Sequence, residues 1–179
     1  MKIEKGIGEL LRKRGWTLSI AESCTGGLIC DRITDIPGCS DYFMGGMVTY
    51  SNESKEEHLG VPMDDIKKFG AVSPEVAKKM AQGVRKAFGT TFGLSTTGIA
   101  GPGGGTKEKP VGLVFIGLAH GKKTWVEKFN FAGNRRNIKE KATEKAICFF
   151  YEKLMQGDFK RGGYRGVNEK GRGVERLSG

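Results

Sequence analysis

Nine consecutive residues, Val111-Gly112-Leu113-Val114-Phe115-Ile116-Gly117-Leu118-Ala119, contain no charge and no polar side chain. A strand with one wet face alternates, so an unbroken apolar run is the pattern of a strand covered on both faces. Helices must then lie on either side of the sheet that contains it. His120-Gly121 reads as a hairpin turn into a strand over 124–131, so at least one neighbour is antiparallel.

The rest of the chain supplies both kinds of element. Residues 16–20 alternate apolar and polar after Gly15, 92–96 form a short strand-like run, and 42–50 read as a strand despite Gly45 and Gly46, which mark a bulge or a close backbone approach. Helical stripes are formed by Ile3, Ile7, Leu10 and Leu11, ended by Gly15, and by Leu28, Ile29, Ile33 and Ile36, stopped by Pro37-Gly38. Ser51-Asn52 caps a short helix to about Leu59. Ser73-Pro74-Glu75 starts a stronger one, with Val76, Ala77, Met80, Ala81, Val84 and Phe88 on its apolar side before Gly89. A last helix runs from a cap at Asn134 to about Met155, its stripe made by Ile138, Ala142, Ala146, Phe149, Phe150 and Leu154. The expected class is α/β, a three-layer α/β/α sandwich with a mixed, mostly parallel sheet. One domain is expected over 1–156, followed by a Gly/Arg-rich tail over 157–179.

With 179 residues, such a core needs neither disulfides nor metal to hold it. Cys24, Cys30, Cys39 and Cys148 form no C-x-x-C pair, and with only His58 and His120 available no metal site is expected. The cysteines look reduced, as in a cytoplasmic protein. No apolar run approaches the roughly 18 residues of a membrane span, and Met1-Lys2-Ile3-Glu4-Lys5 leads into no signal-peptide core. The net charge of +10 invites a nucleic-acid reading, but positive charges are interleaved with carboxylates along the helices. An anionic small ligand explains the excess equally well. The run Arg161-Gly162-Gly163-Tyr164-Arg165-Gly166 has the composition of an RNA-binding tail, yet one such run is a weak signal, and an expendable extension is the preferred reading.

In an α/β sheet the ligand crevice lies beyond the carboxyl ends of the parallel strands. Three loops qualify, carrying Ser23 to Gly27, Tyr50 to Lys55, and Thr97 to Gly105. In the first, Ala21-Glu22-Ser23-Cys24-Thr25-Gly26-Gly27 places a hydroxyl at a strand-to-helix turn. Its glycines bare the amides where developing negative charge could be stabilised. Taken alone, a Ser or Thr that merely caps the helix is the commoner use of such a pattern. The third loop could wrap a phosphate or ribose with glycine amides, or simply connect strands; it matches neither a P-loop nor a dinucleotide fingerprint.

The combination is more specific. Glu22-Ser23-Cys24-Thr25-Gly26-Gly27, Val48-Thr49-Tyr50-Ser51-Asn52-Glu53-Ser54-Lys55, Gly70-Ala71-Val72-Ser73, Gly98-Ile99-Ala100-Gly101-Pro102-Gly103-Gly104 and Lys109-Pro110-Val111-Gly112 together resemble the CinA C-terminal domain family, in family order and across nearly all of residues 3–155. The resemblance implies a nicotinamide-nucleotide amidohydrolase, which converts nicotinamide mononucleotide (NMN) to nicotinate mononucleotide and ammonia. It implies Ser23 as nucleophile, Lys55 and Tyr50 completing a Ser-Lys-Tyr site, Thr25, Gly26 and Gly27 at the oxyanion, and Thr97, Gly98, Gly101 and Arg135 at the nucleotide. Lys55 can act as base only if neutral, which requires desolvation or nearby positive charge.

No cofactor and no membrane partner are expected, nucleic acid is not the expected partner, and a homo-oligomer is left open. Many members of the family carry an N-terminal molybdopterin-binding-like domain associated with pyrophosphatase action on ADP-ribose; that second activity is expected to be absent here. The alternative from another class is a non-catalytic nucleotide-binding or interaction protein linked to competence or DNA damage.

Overall fold

The computed structural model describes residues 3–157 and Phe159. In chain order the elements are α1 (Ile3–Arg14), β1 (Leu18–Glu22), α2 (Leu28–Thr34), a 3-10 turn (Cys39–Asp41), β2 (Phe43–Val48), α3 (Asn52–Leu59), α4 (Met63–Phe69), α5 (Pro74–Phe88), β3 (Phe92–Gly98), β4 (Leu113–His120), β5 (Lys123–Asn130) and α6 (Arg135–Gln156).

The sheet has the order β2-β1-β3-β4-β5. β1 pairs in parallel with both β2 and β3, whereas β4 is antiparallel to β3 and to β5. Only β4 therefore runs against the other four. One face is covered by α1, α2 and α6, the other by α5 with α3 and α4. This is the expected α/β/α sandwich. β4 is buried along all but its last residue, as a strand beneath two helical layers must be. The hairpin to β5 turns between His120 and Lys123.

The main core lies under α1, α2 and α6, where Ile7, Leu11, Ile29, Ile33, Ile138, Phe149 and Phe150 meet Leu18, Ile20, Phe92, Leu94 and Ile116. On the opposite face Val76, Met80 and Val84 of α5 pack with Leu59, Val61 and Ile66. Gly45 and Gly46 reflect close approach: a Cβ on Gly45 would lie 2.5 Å from the Phe88 ring, and one on Gly46 2.3 Å from Cys30 Sγ. The ladder also slips there, with Leu18 opposite Phe43 but Ser19 opposite Gly45. The bulge and the close approach read from the sequence are thus both present.

Two features differ from the sequence reading. α4 has no counterpart in it, because only Ile66 of its seven residues is buried and no apolar stripe forms. Phe159 lies beyond the boundary drawn at 156 yet is 8% exposed, edge-on to Trp16, Phe92 and Trp125. The packed domain therefore reaches past Gln156. The RNA-binding-like run over 161–166 lies outside the described residues.

Candidate active site

Sheet register assembles the site. Glu22 stands opposite Val48 on one side and Thr96 on the other, so the chain leaves β2, β1 and β3 at one level of the sheet edge. β1 is also where the topology reverses, β2 lying on one side and β3 on the other, which is where open α/β sheets form their crevice. The three loops singled out in the sequence are thereby adjacent.

Ser23 follows β1 directly and is 8% exposed. Its Oγ accepts a hydrogen bond from Lys55 Nζ at 3.1 Å. Lys55 arrives from α3, whose start is fixed by Ser51 accepting from the Ser54 amide. One helical turn later the lysine points back under its own N-terminus, 1% exposed, with Nζ also 2.8 Å from the Thr49 carbonyl, 3.0 Å from that of Tyr50 and 3.3 Å from that of Ser51. Burial lowers its pKa from the ordinary lysine range to about 8, against a smaller upward pull from Cys24 and Glu53. A neutral amine has two protons and one lone pair. Donating to the two nearest carbonyls, of Thr49 and Tyr50, leaves the lone pair for the Ser23 hydroxyl. Beside the pair, the Thr49 hydroxyl is buried without a hydrogen-bond partner.

Cys24, the next residue in the chain, is a competing nucleophile. Burial pushes its thiol up to about 12, so at neutral pH it is not a thiolate.

The turn after Ser23 is braced from three sides. The Ser23 amide donates to the Thr96 carbonyl at 3.0 Å, and the fully buried Thr25 hydroxyl bonds that of Thr96 at 2.8 Å. The third brace is Glu22, fully buried, whose carboxylate accepts from the amides of Gly27 (2.9 Å), Ile29 (3.2 Å) and Cys30 (2.8 Å). Glu22 thus consumes the amides at the start of α2, and the Gly27 amide, expected at the oxyanion, is already engaged. The amides of Cys24, Thr25 and Gly26 donate to no acceptor among the described residues. They are the ones left for an oxyanion.

The remaining candidates divide. Arg135, at the start of α6 behind the Asn134 cap, donates from Nη1 to the Gly101 carbonyl at 2.7 Å and from Nη2 to the Tyr50 hydroxyl at 2.8 Å. It therefore gathers Tyr50, Gly101 and the helix start at one rim. Tyr50 is 60% exposed; its carbonyl touches Lys55, but its hydroxyl bonds Arg135 rather than Ser23 or Lys55. Thr97 is buried, its hydroxyl given to the Ala71 carbonyl at 2.8 Å. Gly98 is explained by packing, since a Cβ there would lie 2.6 Å from a Val114 methyl. Thr97 and Gly98 shape the loop from behind.

Sequence reasoning assigned no role to Glu22 or Lys109. Lys109 donates to the carbonyls of Phe69 at 2.6 Å and Val72 at 2.8 Å, pinning the glycine-rich loop to the α4–α5 connection. The only sequence signal for Glu22 was a carboxylate just before a helix that lacks a capping side chain. Gly27 at the N-cap of α2 has none.

Fold and site together define a three-layer α/β/α domain with a buried serine–lysine pair at the carboxyl end of β1, an inner strand of the sheet. The CinA C-terminal domain matches residues 1–154, and the chain belongs to that family. A competence-damage inducible protein of Moorella thermoacetica is 53% identical over 152 residues, 85% of this chain and 37% of the relative; one from Halothermothrix orenii is 57% identical over 151 residues, 83% and 36%. The chain therefore spans well under half the length of these relatives. Among solved structures, the competence/damage inducible protein CihA from Agrobacterium tumefaciens superposes with a TM-score of 0.83 at 36% identity, covering 87% of this chain and 94% of that one. The competence damage-inducible protein A from Klebsiella pneumoniae gives 0.84 at 29% identity, covering 87% and 97%.

Proposed function

We propose that this domain is an amidohydrolase that releases ammonia from the carboxamide of nicotinamide mononucleotide. The observation that carries the reading is the buried Lys55 Nζ, 3.1 Å from Ser23 Oγ, with a pKa lowered toward neutrality. A serine hydroxyl is a poor nucleophile until a base takes its proton, and a desolvated amine is such a base. Lys55 accepts the Ser23 proton as Oγ bonds to the carboxamide carbon. The carbonyl electron pair moves to oxygen, where the free amides of Cys24, Thr25 and Gly26 stabilise the charge. Collapse of that intermediate expels the amine, protonated by Lys55 and leaving as ammonia. Water, deprotonated by Lys55, then cleaves the serine ester to give nicotinate mononucleotide and regenerate Ser23.

Arg135 is suited to the phosphate, its guanidinium able to exchange neutral acceptors for a bidentate anion. Tyr50, held by Arg135 at the rim, reaches the leaving nitrogen as a proton relay only if its side chain turns inward. Both the nucleophile and the base are side chains of the chain itself, so activity is expected to survive chelators.

The test is ammonia release from NMN by the purified protein, with nicotinate mononucleotide as co-product. NMN that binds without ammonia release would favour a non-catalytic nucleotide-binding protein instead.

A further inference from the structure

The first two turns of α6 carry four cations, Arg135, Arg136, Lys139 and Lys141. Two are spent locally: Arg136 pairs with Glu140, and Lys141 donates to the Ala132 carbonyl at 2.7 Å. Arg135 donates only to neutral oxygens, those of Gly101 and Tyr50. Lys139 Nζ has neither a hydrogen bond nor an ion pair among the described residues. Positions four apart share a helix face, so Arg135 and Lys139 look the same way.

Lys139 faces the nucleophile turn. A Cβ built on Gly26 would lie 3.3 Å from Lys139 Nζ, so the absence of a side chain at Gly26 leaves room for the ammonium directly over that turn. The one carboxylate built into the turn, that of Glu22, is directed to the amides of α2. Two cations without carboxylate partners therefore face the mouth of the site, next to amides that also lack acceptors. An uncharged substrate would leave this excess unmatched, whereas a phosphomonoester dianion would satisfy both side chains at once.

We infer that Lys139 is a specificity-determining residue that, together with Arg135, makes the site select a nucleotide carrying a 5′-phosphate over the corresponding nucleoside. A role at the oxyanion is the competing use of the same charge, and it differs in consequence. The oxyanion forms on nucleotide and nucleoside alike, while the phosphate belongs to only one of them. The inference deepens the amidohydrolase reading and rests on it for the identity of the substrate.

The test separates binding from turnover. In a Ser23→Ala background, which removes the nucleophile, the affinities of NMN and nicotinamide riboside are measured by calorimetry with and without Lys139→Ala. The expected result is NMN binding weakened roughly ten- to hundredfold, the loss of one charge-assisted contact, with riboside binding unchanged. Lys139→Arg keeps most of the NMN affinity. With Ser23 present, Lys139→Ala raises KM for NMN and leaves kcat nearly unaltered. Equal losses for nucleotide and nucleoside, a fall confined to kcat, or no preference for NMN in the parent would each overturn the inference. A wild-type protein that releases no ammonia but whose NMN affinity depends on Lys139 would sink the amidohydrolase and leave the phosphate site standing.

Discussion

Replacing Ser23 by alanine removes one of four oxygens around Lys55 Nζ and leaves the three carbonyls in place. The expected stability cost is about 1 kcal/mol, the net value of one hydrogen bond, so the variant folds. Ammonia release from NMN is expected to vanish, and wild-type rates in the folded variant would exclude the covalent route. Lys55 is more exposed to test. Only its neutral form can accept a proton, so kcat/KM should rise with pH through an apparent pKa near 8. Lys55→Arg, permanently charged, should be nearly inactive; near-normal kcat there would make Tyr50 the next candidate for the base. The same shift couples to stability. The unfolded chain holds this proton up to about pH 10.4, whereas the folded chain releases it near 8. Between those values the unfolded state binds more protons, so stability gained from this group increases with pH across the window. Chemical denaturation at pH 8 and pH 10, compared between wild type and Lys55→Met, measures that contribution.

At the level of elements, the nucleophile turn depends on how α2 begins. A helix leaves its first amides unpaired, and α2 satisfies them with the carboxylate of the preceding strand rather than with a capping side chain. Glu22→Gln offers one carbonyl oxygen and turns an NH2 toward a backbone amide. The expected loss is about 1–3 kcal/mol, read from urea unfolding, because a buried amide is left without its acceptor. A change below about 0.5 kcal/mol would mean that the turn rearranges or takes up water. The same carboxylate decides which amides remain for chemistry. Gly27 was the legible choice, since a glycine at a helix start usually bares its amide, but a side chain five residues earlier reached it first.

Across the whole molecule, the outer layers are tied together at few points. Arg32 of α2 pairs with Glu4 of α1 and Glu144 of α6, locking the three helices on one face to one another. Phe159 extends that face, filling the space between Trp16, Phe92, His120 and Trp125. Phe159 is therefore expected to contribute to stability, although it is no catalytic candidate. Phe159→Ala is expected to cost about 1.5–3 kcal/mol, the transfer free energy of one buried aromatic ring, while ammonia release at 25 °C stays near wild type. An unchanged melting temperature would show that this aromatic cluster contributes nothing. Among the described residues no helix is long and apolar enough to cross a membrane.

Periodicity alone determined the layers of this protein. Val111 to Ala119 required cover on both faces, and the stripes on 74–88 and 134–155 supplied it, because burial follows a repeat that can be counted along the chain. The Ser23 turn, the Lys55 helix and the glycine-rich loop were likewise legible as loops after strands. What the sequence could not determine was which donor reaches which acceptor. Lys55 meets Ser23 across 32 positions, Arg135 meets Tyr50 across 85, and the register of β1 against β2 and β3 is what brings them together. Glu22, Arg135 and Lys139 acquire their roles only once the sheet is assembled, because a charge is a surface group or a site group according to what stands opposite it, and only the tertiary structure decides that.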